Sequence, residues 1–255
     1  MTIDVPNLAD QRRITAILDR ADALRAKRRA ALAHLECLTQ SIFLDIFSLP
    51  EVQGWPTATV QEIADAKKGS IRTGPFGSQL LHSEFVDEGI VVLGIDNAVA
   101  NEFRWGERRY IDEMKYRVLS RYRVYPGDVL ITIMGTCGRC AVVPDGIPLA
   151  INTKHLCCIT TDPRACLPEF LHASFLWQPV SRSYLERAAK GAIMAGLNMG
   201  IIKGMPLVLP PITVQQEFVE RVAAVEAAKL TSGASASQLD DLFSSLQARA
   251  FSGQL

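Results

Sequence analysis

The sequence predicts an α+β protein in which a mostly β domain lies between two long helices that form an antiparallel coiled-coil arm. Three observations predict it: a helical segment occurs twice, each copy has a heptad pattern of apolar residues, and short Val- and Ile-rich runs lie between the copies. Heptads are typical of coiled coils, and short β-branched runs between turn residues are typical of strands. We expect helical regions at residues 1–50 and 209–255, with a domain at residues 51–208.

The repeat aligns the segment that begins at Val5 with the segment that begins at Leu209, at a constant offset of 204 residues. The alignment needs no gap and holds its register over more than forty residues, which chance does not explain. Among the matched pairs are Pro6 with Pro210, Gln11 with Gln215, Leu35 with Leu239, Leu38 with Leu242 and Phe47 with Phe251. Each copy follows a proline-containing turn, where helices commonly begin.

Apolar residues occupy eight of ten heptad a and d positions in the first copy and six of ten in the second. Gly233 and the serines around it weaken the second copy, so we expect a break or kink between Thr231 and Ser237. The partner-binding residues expected in the coiled coil are Ile14, Ile17, Leu24, Arg28, Leu35 and Leu38 in the first copy, and Phe218, Val225, Leu239, Leu242 and Leu246 in the second.

Two helices that leave one domain from adjacent points can lie antiparallel and bury both apolar seams. In that register we expect Arg28 to lie opposite Thr231 to Gly233, where small residues accommodate its bulk. An arm of about 38 residues spans roughly 57 Å at about 1.5 Å per residue. Such an arm serves as a spacer or docking surface; the alternative is a helical hairpin folded onto the domain.

The middle of the chain, from Trp55 to Leu209, loses the helical periodicity. Strands are predicted at the runs IVVLGI, DVLITIM, AVVP, PLAI and HLCCIT, because turn residues bound each of these short runs. Helices are predicted over PEFLHASFLW and from Pro179 to Lys190.

Composition and charge exclude some classes of protein. The chain is 48% hydrophobic and 21% charged, as in soluble globular proteins. No run of eighteen apolar residues and no export signal is visible, so we expect a cytoplasmic protein without a membrane span. Because 27 basic residues balance 27 acidic ones, a non-specific nucleic-acid coat is disfavoured, whereas a reader with its basic residues on one surface is not.

The six cysteines raise the question of a metal site. Cys137 and Cys140 form a CxxC pair, and Cys157 and Cys158 lie beside His155, a set that could supply zinc ligands. Neighbouring residues of a strand point to opposite faces, so only one of Cys157 and Cys158 could join such a cluster. We therefore favour reduced thiols and expect no metal.

Four loop patches follow one another in the middle domain: Gly69 to Leu80, Pro126 to Pro144, Ile151 to Leu156, and Lys190 to Asn198. Glycines allow a backbone to approach a partner closely, although glycine loops are often only turns. The loop GTCGRC lacks the spacing of a nucleotide cradle, and no HExxH or GxSxG motif is present. We therefore expect no catalytic site.

The order GPFGSQL, GIVVLGIDN, YPGDVLITIMGTCGR and KGAIMAGLN before MPLVLPP resembles the target recognition domain of type I restriction–modification specificity subunits. The flanking PNLADQRRITAILDRADALRAKR resembles the conserved helical region of that family. The family usually has Glu-Gln after the proline turn, whereas this chain has Asp10-Gln11 and Gln215-Gln216. The resemblance covers nearly the whole chain, but with one recognition domain where full-length members have two.

The resemblance implies a subunit that reads double-stranded DNA and directs a separate adenine methyltransferase that uses S-adenosylmethionine, with ATP and Mg in a restriction subunit. It also implies that two copies pair through the helices to read a split site, unless the chain pairs with another half or acts on one half-site. The residues expected to bind DNA are Ser70, Arg72, Thr73, Phe76, Ser78, Gln79, Arg104, Arg108, Asn152, Lys154, His155, Lys190, Met194 and Asn198.

Two other interpretations remain open. A scaffold or inhibitor could hold a methyltransferase through the same arm without reading DNA, and the balanced charge is compatible with it. A zinc enzyme built on Cys137, Cys140 and His155 lacks an obvious general base. The segment with Arg104, Arg108 and Arg109 beside Trp105 could track a DNA backbone, or it could be a solvated hairpin.

Overall fold

The computed structural model describes residues 7–47, 54–190, 196–252 and 254, without the side chains of residues 189 and 190. The chain forms two compact units. The first comprises Met1–Ile42 and Glu220–Leu255, and the second comprises Phe43–Val219. The expected three-part division at residues 50 and 208 stays a prediction.

Two helices of 40 residues each, α1 (Leu8–Phe47) and α7 (Ile212–Phe251), supply the first unit. The expected break between Thr231 and Ser237 is wrong, because α7 continues through Gly233 without interruption. One glycine costs a helix only about 1 kcal/mol, and the Thr231 hydroxyl donates back to the carbonyl of Ala227 within the helix.

Half-buried residues follow a regular heptad along both helices, but only one of the two predicted rows is correct. The row that contains Ile14, Arg28 and Leu35 faces inward as expected. The second row lies one position later than predicted over most of its length, since Leu24, Leu38 and Leu242 are 48%, 40% and 52% exposed, whereas Ile17 is half-buried as predicted. The inward residues of this second row are Leu18, Arg25, Leu32 and Thr39 in α1, and Val222, Lys229, Ala236 and Phe243 in α7.

Charged residues set the register of the two helices within the first unit. Arg25 donates to Asp240 at 2.6 Å and stacks over the ring of Phe243 at 4.2 Å, and Arg29 binds the same carboxylate at 3.1 Å. Arg25 contacts both Asp240 and Phe243, whereas Arg29, one turn later in α1, contacts Asp240, which is the earlier of the two in α7. The two helices therefore run antiparallel. Arg29, the neighbour of Arg28, thus binds a residue about two turns beyond Gly233, and the expected position of Arg28 opposite Thr231 to Gly233 stays a prediction.

The described helices include one, α1, that is long and apolar enough over 18 residues to cross a membrane, judged by length and composition alone. The same criterion is met by helices of soluble proteins, so this is weak evidence. The expectation that no segment spans a membrane stays a prediction.

Three small sheets and the shorter helices make up the second unit. The first sheet pairs β1 (Thr57–Thr59) with β10 (Pro206–Val208). The other strands are β2 (Ile71–Thr73), β3 (Ile90–Leu93), β4 (Tyr110–Ile111), β5 (Arg123–Val124), β6 (Val129–Thr132), β7 (Cys140–Val142), β8 (Ala150–Asn152) and β9 (Leu156–Ile159). The second sheet has the order β2-β9-β6-β7, and the third has the order β4-β3-β8-β5. The helices are α2 (Val60–Ile63), α3 (Glu113–Leu119), α4 (Pro168–Trp177), α5 (Pro179–Lys190) and α6 (Met199–Lys203).

The five predicted strand runs and both predicted helices of this domain are confirmed. Each strand run is short and apolar because its strand is buried: all four residues of β6 and of β9 are buried. Residues of the second and third sheets, among them Leu93, Leu130 and Leu156, pack into a common core. This core holds the loops at the strand ends in place.

Aromatic rings fix the helix ends that belong to the second unit. The ring centres of Phe43 and Phe47 lie 5.6 and 5.5 Å from the ring centre of Phe218. The ring centre of Phe47 lies 5.0 Å from that of Phe170 in α4. At the start of α7 the buried Gln215 accepts from the amide N–H of Leu167 and donates to two carbonyl groups. The glutamine of the repeated motif thus anchors α7 to the loop before α4.

Candidate nucleic-acid interface

Polar residues gather where two parallel strands end. β3 and β8 run parallel, with Leu93 opposite Asn152. Because parallel strands place their carboxyl ends at the same edge of a sheet, the segment after Leu93 and the turn after Asn152 lie side by side. The amide N–H of Thr153 donates to the carbonyl of Leu93 at 2.9 Å, which joins the two segments.

This edge forms an open pocket of about 510 Å³, lined by Asp96, Glu107, Arg109, Thr153 and His155 among others. Arg109 donates to Asp96 at 2.7 Å, and both side chains are about one third exposed. We call this pocket with its neighbours Asn152 and Lys154 the polar edge. It unites three residues predicted to bind DNA, Asn152, Lys154 and His155, with an acid–base pair.

Several polar atoms at the polar edge are buried and have no hydrogen-bond partner among the described residues: Asp96 Oδ2, Arg109 Nε, Asn152 Oδ1 and Thr153 Oγ1. Since an unpaired buried polar atom costs about 1–3 kcal/mol, such a group of acceptors and donors suits a polar ligand. Asn152 itself is fully buried and donates to the carbonyl of Leu156, so it shapes the turn that carries Lys154 and His155.

His155 is held mostly neutral by its surroundings. Burial lowers the pKa of its imidazole below the ordinary value, and the positive charges of Lys154 and Arg109 lower it further. A neutral imidazole presents one donor and one acceptor, so it can pair with a base edge that offers an acceptor or a donor.

The segment with Arg104, Trp105 and Arg108 adjoins the polar edge. Asn97 orders it, because its side chain accepts from the amide of Gly94 and donates to the carbonyl of Arg104. Arg104 forms an ion pair with Glu102, and the Arg108 guanidinium lies 4.8 Å from the centre of the Trp105 ring. Arg104 and Arg108 are both exposed, so they remain candidates to bind DNA.

Arg72 does not reach the surface, contrary to the role expected for it. Only 8% of the residue is exposed. Its guanidinium donates to the carbonyls of Arg123 and Gly69 at 2.9 and 3.2 Å and to the Thr160 hydroxyl at 3.0 Å, and it forms an ion pair with the fully buried Asp128. With its donors engaged inside the domain, Arg72 is a structural residue.

Asp128 accepts further bonds from the amide of Tyr125 at 2.8 Å and from the Cys158 thiol at 3.2 Å. Burial raises the pKa of Cys158 well above its ordinary value, and the nearby carboxylate raises it further. The thiol therefore stays protonated and serves as a donor to Asp128.

The rest of the first patch divides into a buried and an exposed part. Thr73 is buried in β2, whereas Phe76, Ser78 and Gln79 are exposed. The side-chain oxygen Oε1 of Gln79 accepts a hydrogen bond from the Tyr122 hydroxyl at 2.8 Å. Ser70 is half-buried and immediately precedes β2.

The last patch is only partly described. Met194 lies outside the described residues, and Lys190 ends α5 with its side chain not described. Asn198 is the N-cap of α6, where its side chain accepts from the amide of Ile201 at 2.9 Å. The capping bond uses the side-chain oxygen of Asn198 and does not involve its side-chain NH2 group.

The cysteines do not assemble into a cluster. No group of three or more His, Cys, Asp or Glu residues suited to a metal ion occurs among the described residues. Cys140, Cys157 and Cys158 are fully buried in strands, and burial raises the pKa of Cys157 to about 12. They serve as small core residues.

Comparisons with known proteins test the family resemblance. No family model matches the chain. Over 229 residues it is 24% identical to the type I restriction enzyme EcoBI specificity subunit of Escherichia coli, covering 86% of this chain and 45% of that protein. A solved chain from a type I R-M system matches 98% of this chain and 61% of its own length, with 20% identity and a TM-score of 0.66.

The chain resembles type I restriction specificity subunits in sequence and in fold. The HsdS subunit of Thermoanaerobacter tengcongensis matches with a TM-score of 0.60 at 20% identity, covering 98% of this chain and 60% of that subunit. The S subunit of M. genitalium matches with a TM-score of 0.57 at 15% identity, over 96% and 61%. The predicted resemblance and fold class are thus confirmed, and the chain spans about half the length of the curated specificity subunit.

Proposed function

We propose that this chain is a sequence-specific DNA recognition subunit without a catalytic site, which directs a partner adenine-DNA methyltransferase to a split target site. The observation that carries the proposal is the match of 98% of the chain to a chain of a type I R-M system. The polar edge supports it, because donors and acceptors are collected there on ordered loops. Direct reading of bases needs such fixed hydrogen-bonding groups.

The recognition residues divide by task. The exposed Arg104 and Arg108 and the half-buried Lys154 supply contacts to phosphates, which give affinity and salt dependence. Exposed or half-exposed side chains of the first loop and the polar edge, such as Gln79 and His155, supply contacts to base edges. Arg72 and Thr73 hold the scaffold instead.

The partners follow from the same proposal. S-adenosylmethionine belongs to the methyltransferase subunit, ATP and Mg belong to a restriction subunit where one is present, and this chain holds no cofactor. The helices α1 and α7 provide the surface for the methyltransferase. The assembly works in the cytoplasm.

We propose further that a second copy supplies a second recognition domain. The repeated motif supports this: Gln215 is buried against the loop before α4, whereas its equivalent Gln11 is exposed, and Leu8 at the same end of α1 is 63% exposed. The corresponding loop of a second copy is a fitting surface for that end of α1, and a two-fold dimer would read a palindromic split site.

Mass photometry of the wild-type chain tests the dimer. Leu8→Asp is expected to shift dimers to monomers, whereas the control Leu230→Asp, on a residue that is 77% exposed in α7, leaves them intact. A wild-type chain that is monomeric both alone and with the methyltransferase would refute the dimer.

A scaffold that holds the methyltransferase without reading DNA is the second candidate. The balanced net charge and the internal engagement of Arg72 favour it. The two candidates differ in what the polar edge does.

Co-expression with the modification subunit, followed by sequencing of methylated bases, separates the two candidates. A reader yields a short split motif that is lost or altered in a His155→Ala, Lys154→Ala variant that still assembles. Methylation that is unchanged in that variant, and in Arg104→Ala with Arg108→Ala, would favour the scaffold.

A further inference from the structure

A second concave surface lies in the same unit, and two residues that the sequence singled out, Ser70 and Arg72, are part of its lining. It is a groove of about 770 Å³ whose lining includes Lys67, Lys68, Arg121, Tyr122, Arg123 and Tyr125. We call it the basic groove. One wall is the loop before β2, and the other is the segment that leads into and out of β5.

The basic groove concentrates positive charge in a chain whose net charge is zero. Lys68, Arg121 and Arg123 are exposed, and none of them forms an ion pair with a described carboxylate. Asp65 is the acidic residue of the lining, and it faces Lys67 at 3.5 Å. Three cations are therefore uncompensated along this groove.

Two tyrosine rings order the arginines of the groove. The Arg121 guanidinium lies 4.7 Å from the ring centre of Tyr122, and that of Arg123 lies 4.7 Å from the ring centre of Tyr125. The Arg121 guanidinium also donates to the Tyr122 hydroxyl at 2.7 Å. These contacts restrict the side chains, which lowers the entropy lost on binding an anion.

The buried Arg72 joins the two walls. It donates to the carbonyls of Gly69 and Ser70 on one wall and to the carbonyl of Arg123 on the other. Its own charge is matched by Asp128. The spacing of the basic groove is thus set from inside the domain, and Arg72 acts as a positioning residue.

We propose that the basic groove binds the sugar-phosphate backbone of double-stranded DNA, with Lys68, Arg121 and Arg123 each facing phosphate. This rests on the proposed function and adds a contact surface to it. A backbone is a convex ridge of regularly spaced anions, so it fits a concave, open groove with cations on both walls. The polar edge and the exposed loops then meet the bases.

The test uses the full-length chain and a labelled 40-base-pair duplex pool of random sequence, with binding followed by fluorescence anisotropy from low to high salt. The variant Lys68→Gln, Arg121→Gln removes one charge from each wall. Its control, Arg20→Gln with Lys27→Gln, removes one Arg and one Lys from exposed positions of α1. All four side chains are exposed, so the unfolding midpoints are expected to stay unchanged.

Each phosphate contact adds about 0.9 to the slope of log K against log salt, so the groove variant should lose about 1.8 in slope. Its affinity at 0.1 M salt should fall tenfold to hundredfold, while the control keeps the wild-type slope. DNA binding by the wild type with an unchanged slope in the groove variant would overturn the inference and leave the proposed function standing.

Two further outcomes also count against the inference. No DNA binding by the wild type, alone or with its methyltransferase, would overturn the proposed function and the inference together. A groove-dependent loss seen with an RNA duplex of the same length, but not with DNA, would assign the basic groove to RNA.

Discussion

Replacing Arg72 tests how the recognition domain is held together. In Arg72→Met the fully buried Asp128 loses its cationic partner but keeps the amide of Tyr125 and the thiol of Cys158 as donors. Breaking a buried ion pair by removing one partner costs about 3–5 kcal/mol. At about 2–4 °C per kcal/mol for a domain of this size class, the unfolding midpoint should fall by about 6–20 °C.

The assay is urea and thermal unfolding of Arg72→Met, of Asp128→Asn and of the double variant. The double variant should lose less stability than the sum of the single variants, by about 2–3 kcal/mol, because it leaves no buried charge alone. Arg123→Met serves as the control, since the Arg123 side chain is exposed and it should cost under about 0.5 kcal/mol.

A loss below about 1 kcal/mol in Arg72→Met, or single-variant losses that simply add, would refute this account of the buried pair. Such a result would mean that Asp128 is not dependent on Arg72. The joining of the groove walls through Arg72 would then be without energetic support.

Three other predictions follow from the packing. Burial lowers the pKa of His172, so the folded protein resists protonation of this residue while the unfolded chain does not. The stability of the fold should therefore fall as the pH drops below about 6.5. Denaturation at pH 7 and pH 5 checks this, and a His172→Gln variant with the same pH dependence as the wild type would contradict it. Leu239→Ala should lower the stability of the helical unit by about 1–2 kcal/mol, whereas Leu242→Ala, at a residue that is 52% exposed, should cost under about 0.5 kcal/mol. Unfolding followed by circular dichroism measures both losses, and equal losses would contradict the observed seam. Gly74→Ala should cost about 1–3 kcal/mol of stability or prevent folding, because the added Cβ would meet the carbonyl oxygen of Asn152 at 2.1 Å. Gly233→Ala should instead stabilise α7 by up to about 1 kcal/mol in the same unfolding assay, because the added Cβ meets open space.

The phase of the coiled coil shows where sequence reasoning ends. Both Ile17 and Leu18 are apolar, and so are both Ala31 and Leu32, so the pattern fits two adjacent rows. The row that faces inward is the later one, because Arg25 of that row reaches Asp240 and Phe243. A contact with a residue more than two hundred positions away made the choice, and no local pattern contains it.

The candidate site shows the same limit. His155 and Lys154 could be singled out because polar residues in a loop after a strand are conspicuous. Asp96 could not, since only the parallel pairing of β3 with β8 brings it beside that loop. Arg72 was misassigned because an arginine in a glycine-rich stretch looks exposed until Asp128 is placed beside it.

The sequence by itself determined the repeat, the long helices, the short strands and the resemblance to type I specificity subunits. These features depend on local periodicity, turn residues and motif order, all of which can be seen in neighbouring residues. The tertiary structure alone decided which heptad row is buried, which arginine is structural, and which cations line one groove. Burial and electrostatic pairing join residues that are far apart along the chain, so they are settled only when the chain has folded.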